Sequence, residues 1–427
     1  MRNFIITIGC GLSLLVACNQ PLASDFDAED VAMQLDSKTI SIDNALMALE
    51  DILYQTELKT KSALASITKD DIFVIGGNEL SITTKSGEEL PLPDTLLYAV
   101  NFKDGGFSIL SANTDLNYPV MCVTDKGEVS LDCFVAGYSF LMSTENNDEI
   151  ETRSSEEDDY LADIVYADAG KDYLYSLLLS AALIDYYDGM TIYDQTPKTK
   201  ESASANVGPL LETKWTQSYP FDKYKDPPGC VVIAVAQIMA FNEKPAISKF
   251  TSLSSSCTWE TLKTVYPCSD YESAGTTFAQ NQAGLLAKEL GNSDNCDVNS
   301  SGGTTTNKAR STLKRFGYDV DKRIGCGSGD INKITQQLAN DETPVYMDGC
   351  RKDNYTGKQK GHAWVIDGLS NNMFHINWGW QGDCDGYYAK GVFDTEDVVS
   401  YDEIDPGNTY TGMEARDYYH YFRILLY

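Results

Sequence analysis

Ile42, Ala45, Leu46, Leu49 and Ile52 recur at intervals of three and four residues, the spacing of one helical face. The runs DIFVIGG, LSITTK, TLLYAVNF, GFSILSA and PVMCVTD follow, short and β-rich, broken by Gly, Asn and Asp in the manner of an antiparallel sheet. Residues from about 40 to 142 therefore predict a small α+β unit. Residues 144–159, TENNDEIETRSSEEDD, have almost nothing to bury and read as an exposed loop or linker. Leu161, Ile164, Val165, Tyr173, Leu174, Leu177 and Leu178 predict further helix. The stretch QTPKTKESASANVG, residues 195–208, is small, polar and lysine-bearing, a composition that proteases reach easily, and the main domain boundary is expected near residue 205.

Downstream, VVIAVAQIMAF follows Gly229-Cys230. Val231, Ala234, Val235 and Ile238 fall at helical spacing with Gln237 among them, and the run stops before Pro245, which cannot continue a helix. Phe278, Ala283, Leu285, Leu286 and Leu290 predict a second helix, and Ala309 to Phe316 a third. TPVYMDG, HAWVIDG, MFHINWG, GYYAKG and YHYFRILLY then read as strands. A helical part followed by a strand-rich part is an α+β order.

The first 17 residues change the picture of where the chain acts. Arg2, an apolar stretch and Leu15-Val16-Ala17-Cys18 have the layout of a bacterial secretion signal. The segment resembles a lipoprotein signal, in which Cys18 becomes the lipidated N-terminus of the mature chain and lies outside the fold. No later stretch reaches the roughly 18 uninterrupted apolar residues that a spanning helix needs. An exported, membrane-anchored protein is expected, at the outer membrane or cell surface, with release to the extracellular space after processing.

With 427 residues, two or three domains are expected, and a hydrophobic fraction of 42% suffices for sizeable cores. The formal charge of −30 excludes the clustered basic surface that nucleic-acid binding requires. Eleven cysteines in an exported chain permit disulfides; Cys122 and Cys133 are near enough in sequence to pair, as are Cys257 and Cys268.

Candidate chemistry centres on Cys230. A thiol at a helix start feels the positive end of the dipole, worth roughly 0.3–1 kcal/mol. That is less than the about 1.4 kcal/mol that moves a pKa by one unit, so strong activation needs a cation as well. The chain has three histidines. His362 stands between Gly361 and Ala363 at the mouth of a strand, where small neighbours are expected to leave the imidazole accessible. His375, between Phe374 and Ile376, reads as structural, and His420, among tyrosines, as packing. Asn377, followed by Trp378, could accept the other N–H of His362 and fix its tautomer while the tryptophan excludes water. No Cys-x-x-Cys or His-x-x-x-His spacing is present, so neither a metal nor a cofactor is expected.

The half from about residue 207 resembles the streptopain family of papain-like bacterial cysteine proteases. The likeness is carried by WTQSYPFD, GCVVIAVAQIM, Ser300-Ser301-Gly302 with RSTLKRFGYD, GHAWVIDG and HINWGW. The resemblance implies a papain-like catalytic domain at 206–427, with a helical part and an antiparallel β part. It implies Cys230 as nucleophile, His362 as general base, Asn377 as orienting amide, Trp378 as its shield and Gln217 as an oxyanion donor. Ser301, Gly302 and Gly361 are implied to line the substrate cleft. LLYAVNFKDGGFSILSANTDLNYPVMCVTDKGEV is similar to the family's β-rich propeptide, so residues 18–205 are expected to form an inhibitory domain that covers the cleft of a zymogen acting on proteins and peptides. In a His-paired protease the thiol pKa falls to about 3–4. A competing expectation is a catalytically inactive surface lipoprotein of the same fold that binds host proteins or glycans.

Overall fold

The computed structural model describes residues 38–56, 67–83, 89–90, 92–142, 166–190, 206–265, 276–324, 328–352, 359–393 and 420–427. The chain is mixed α+β, as expected. Strands β1 (Ile72–Ile75), β2 (Ile82–Thr83), β3 (Glu89–Leu90), β4 (Leu97–Asn101), β5 (Phe107–Ser111), β6 (Val120–Thr124) and β7 (Tyr166–Asp168) belong to the N-terminal half. The C-terminal half supplies β8 (Asp321–Ile324), β9 (Val345–Lys352), β10 (Gln359–Ser370), β11 (Met373–Asn377), β12 (Gly386–Ala389) and β13 (Tyr421–Leu426). Apart from the β2-β3 pair these form one sheet in the order β1-β4-β5-β6-β12-β11-β10-β9-β13-β8, with β7 joined to β10.

The two halves share this sheet. β6 pairs antiparallel with β12, Thr124 opposite Gly386 and Cys122 opposite Tyr388. Strand residues 107–111 and 120–124 are buried throughout because both faces are covered. On one face lies the helix Ile42–Thr56, whose Ala45, Leu49 and Leu53 pack with Val100, Leu110 and Val123. On the other, Phe134 and Leu141 of the helix Leu131–Met142 and Leu174, Leu178 and Leu183 of the helix Lys171–Met190 join Phe107, Ile109, Trp364 and Phe374. Burial of each such side chain contributes about 1.5–3 kcal/mol. The helices Leu131–Met142 and Ser328–Asp341 were not apparent from the sequence pattern.

The second core surrounds the helix Cys230–Asn242, in which every residue from Cys230 to Ala240 is buried. A helix apolar all round is enclosed: one side meets the helices Phe278–Leu290 and Thr306–Arg315, the other β9 and β10 through Tyr346, Ala363 and Val365. Thr277 and Thr305 cap those two helices, each side chain accepting a backbone N–H of the first turn. Among the described residues no helix is long and apolar enough to cross a membrane. Cys122, Cys133, Cys230, Cys257, Cys296, Cys350 and Cys384 are free, so the Cys122–Cys133 pairing is not made, and Cys268 lies outside the described residues.

Candidate active site

Gly229 initiates the cysteine helix with φ 91°, in the left-handed region. A Cβ there would stand 2.5 Å from the carbonyl oxygen of Gly302, which itself has φ 79°. Two glycines in contact thus seat Cys230 at the first helical position. Gly302 lies buried against Gly229, the residue before the thiol, whereas Ser301 is exposed and donates its N–H to Asn299 Oδ1 at 2.8 Å.

His362 sits on β10, with β9 on one side. The other side of β10 is divided: β11 pairs with its later residues, and β7 runs parallel to Gln359, Lys360 and Gly361. The N–H of Ala169 continues that ladder onto the carbonyl of Gly361 at 2.8 Å. A strand of the N-terminal half therefore fills the edge at Gly361, the position that the resemblance assigns to the substrate cleft.

Asp168 ends this strand. Its Oδ1 lies 2.7 Å from His362 Nδ1, and its Oδ2 accepts a hydrogen bond from Gln217 Nε2. Nε2 of His362 donates to the carbonyl of Trp378 at 2.7 Å. A carbonyl only accepts, so Nε2 carries a proton, and Nδ1 faces a carboxylate. Burial alone would raise the Asp168 carboxyl, but the His362 ring and the hydrogen bonds from His362, Gly170 N–H and Gln217 prevail and hold it below its ordinary value. One proton thus lies between His362 Nδ1 and Asp168 Oδ1, and another on Nε2 toward the Trp378 carbonyl.

The sulfur of Cys230, a carboxylate oxygen of Asp168 and a ring nitrogen of His362 all lie within 4.8 Å of one another. Burial, with the Asp168 charge adding to it, holds the Cys230 thiol well above its ordinary value. The group that shares the ring's proton is the Asp168 carboxylate, and the thiol stays neutral. His362 is fully buried, contrary to the expectation from its small neighbours. Trp380 covers the ring with centroids 4.6 Å apart, Trp378 and Trp364 stack further off, and β7 closes the open side.

Asn377 does not touch the histidine in this state. Its Oδ1 accepts from Gln237 Nε2 at 3.0 Å and from Gly379 N–H at 3.1 Å, and its Nδ2 donates to the carbonyl of Thr213 at 2.9 Å. Both lone pairs of the amide oxygen are taken, so His362 Nε2 uses the neighbouring Trp378 carbonyl instead. Gln237 also accepts from Thr213 Oγ1 at 3.0 Å and from Trp215 N–H at 3.3 Å. Asp385 accepts the Trp378 N–H at 2.9 Å; burial pushes its carboxyl up to about 7.

His375 is structural, as expected: its Nδ1 lies 2.6 Å from Asp367 Oδ1. Burial lowers its pKa, but the Asp367 carboxylate outweighs this and the net shift is upward. Asp367 Oδ2 accepts from Leu211 N–H at 3.1 Å, while Val207 and Leu369 exchange backbone hydrogen bonds at 2.7 and 2.8 Å. The segment from residue 206 is thus fastened to β10. His420 packs edge-on to Tyr173 with centroids 4.7 Å apart.

A cysteine at a helix start facing a histidine on an antiparallel sheet, with a glutamine amide beside them, defines a papain-like thiol peptidase. Residues 214–388 match the model of the Peptidase C10 family. The chain is similar to streptopain from Streptococcus pyogenes serotype M1, 26% identical over 332 residues, which is 68% of this chain and 73% of that protein. It is equally similar to streptopain from serotype M28, 26% identical over 330 residues, again 68% of this chain and 73% of that protein. Among solved structures a fragment of prointerpain A from Prevotella intermedia aligns with 77% of this chain and 94% of its own, at 18% identity and a TM-score of 0.42. The chain is a cysteine endopeptidase acting on protein substrates.

Proposed function

We propose that Cys230 is the nucleophile and His362 the general acid and base of this peptidase, and that Asp168 holds both idle until the N-terminal half is removed. The observation that carries the reading is the Asp168 carboxylate, with one oxygen on His362 Nδ1 and the other on the amide of Gln217. It engages at once the group that must take the thiol proton and the group that must stabilise an oxyanion. When Asp168 leaves, the proton it shares with His362 Nδ1 is lost to solvent, and Nδ1 takes the proton of the Cys230 thiol in its place. The thiolate attacks the peptide carbonyl. The Gln217 amide and the Cys230 N–H then hold the oxyanion, where losing one donor typically costs about 2.7–4 kcal/mol. His362 protonates the leaving amine, and water releases the acyl group. Asn377 and Trp378 shape the loop that orients the base, and Gly361, Gly302 and Ser301 line the cleft that β7 now fills.

Residues 18–205 form the propeptide in this reading and 206–427 the catalytic domain. The hydrogen bonds that tie Val207, Leu210 and Leu211 to β10 support a cut before Asn206. A cut just before Trp215 would remove the segment whose Val207, Leu210 and Leu211 bond β10, and the residues immediately upstream of 206 lie outside the described residues. The sequence Leu15-Val16-Ala17-Cys18 supports export and lipid anchorage at Cys18, at the outer membrane or cell surface, with processing releasing the catalytic part. The test is incubation of purified full-length chain with N-terminal sequencing of the product. Activity should appear with a new N-terminus before Asn206, and Cys230→Ala should stay intact; active enzyme that retains its N-terminal half would refute the zymogen reading. Palmitate labelling that is lost in Cys18→Ser tests the anchor.

A further inference from the structure

The same three side chains carry a second possibility, independent of proteolysis. Cys230 Sγ, a ring nitrogen of His362 and an Asp168 oxygen offer sulfur, imidazole and carboxylate donors, the three ligand types that zinc takes, all within 4.8 Å of one another. The geometry points to a zinc-binding site in the proenzyme, made of Asp168, Cys230 and His362 with water as the fourth ligand.

The outer contacts of the three donors argue for this more than their proximity does. A zinc-bound histidine nearly always donates its other N–H to a carbonyl or carboxylate, which fixes the ring with one nitrogen aimed at the metal. His362 has that arrangement, Nε2–H on the Trp378 carbonyl and Nδ1 aimed inward. The second oxygen of Asp168 is held by Gln217 Nε2. Two of the three donors, His362 and Asp168, are thus anchored on their far side while their other atom faces the cluster. Zinc bond lengths of about 2.0–2.3 Å in a tetrahedron set ligand atoms about 3.3–3.7 Å apart. The pair His362–Asp168, now 2.7 Å apart, need open only slightly as the metal replaces the proton between them.

The charges balance. Zinc displaces the thiol proton of Cys230 and the Nδ1 proton of His362, so two protons leave as two positive charges enter. The thiolate and carboxylate then neutralise the metal, a sign of interaction opposite to that in the metal-free site, where the Asp168 charge disfavours the thiolate. The site exists only while β7 lies beside β10, so zinc would lock the zymogen and the processed enzyme would lose a ligand. The ligands come from three distant parts of the chain, which is why no Cys-x-x-Cys or His-x-x-x-His spacing announces them.

The experiment uses the intact full-length chain, its length verified by mass spectrometry, stripped with chelator and dialysed against zinc or cobalt alone. Metal content and the cobalt spectrum are read. One zinc per chain is expected, with a near-ultraviolet sulfur-to-cobalt band and the visible bands of tetrahedral cobalt. Asp168→Ala and Cys230→Ser should each weaken zinc binding by at least about 10–100-fold, while Cys133→Ser retains it. Should Cys230→Ser fail to fold, the sulfur-to-cobalt band of the wild type still reports the ligand. A wild-type chain that retains no zinc at micromolar metal, lacks the sulfur band, or binds no better than Asp168→Ala overturns the site.

Discussion

Oδ1 of Asp168 stands 2.7 Å from Nδ1 of His362, so a residue of the N-terminal half holds the ring nitrogen that the proposed nucleophile, Cys230, would use. The contact is a charged hydrogen bond between two shielded groups, and its worth depends on pH through the aspartate. The Asp168 carboxyl is held below its ordinary 3.8. A depressed acid stabilises the folded state in full above its unfolded value and loses that contribution as pH falls through its folded value. The full chain should therefore melt higher than Asp168→Asn at neutral pH, by the equivalent of about 2 kcal/mol for a hydrogen bond to a charged group. The two melting curves should converge below pH 3.8. Calorimetry of both chains across this range checks it, and a constant difference down to strong acid would show that the carboxylate is not the titrating group.

Gln237 lies two turns along the helix from Cys230, is 1% exposed, and joins Asn377 to Thr213 and Trp215. Truncating it to Ala leaves buried partners unsatisfied at about 1–3 kcal/mol. In the processed enzyme Gln237→Ala should lower kcat by roughly 10-fold with KM little changed, since the residue positions the loop of the base and does not line the cleft. Glu or Asn at 237 should recover part of the loss. A change confined to KM would contradict the positioning role.

Asn377→Ala should cost less activity than His362→Ala, because the amide orients the loop whereas the ring carries the proton. The structure sharpens the expectation: Asn377 bonds Gln237 and Thr213, and His362 leans on the Trp378 carbonyl. Asn377→Ala and Gln237→Ala should therefore be non-additive in kcat/KM. Additive losses would mean that the two side chains act separately.

Gly229→Ala places a Cβ 2.5 Å from the Gly302 carbonyl at φ 91°. The strain, of order 1–3 kcal/mol, falls on the residue before the nucleophile, so the processed variant should lose kcat well beyond its loss of thermal stability. Parallel melting and kinetic measurements test this.

The proposed nucleophile and base stand out in the sequence because each carries a local signature: Gly229-Cys230 before a fully apolar run, and His362 among small residues at a strand start. The helix face of Ile42 to Ile52, the strands β4 to β6 and those from β9 to β13 were legible from period and turn residues alone. Asp168 was not. Its strand is only Tyr166–Asp168, set in a stretch whose leucines read as helix, and it acquires meaning only by pairing with β10. Burial of His362 was missed for the same reason, since the covering groups, β7 and Trp380, reach it through space. The Gln237 signal was present, a lone amide inside an apolar helix, but its partners lie in segments remote in sequence. Helix Leu131–Met142 shows a weak amphipathic period because an apolar residue, Val135, also stands on its exposed face beside Asp132 and Ser139.

The central claim is that Asp168 stands in for the thiolate as the partner of His362 and so keeps Cys230 unreactive. The direct measurement is the rate of iodoacetamide alkylation at Cys230 in the intact chain at mildly acid pH, mapped by peptide mass spectrometry. Wild type should react slowly, because its buried thiol is held well above the ordinary value. Asp168→Ala, still full length, should react at least about 10-fold faster as the thiol proton passes to His362, and His362→Ala added to it should abolish the gain. An Asp168→Ala chain that alkylates no faster than wild type would contradict the account.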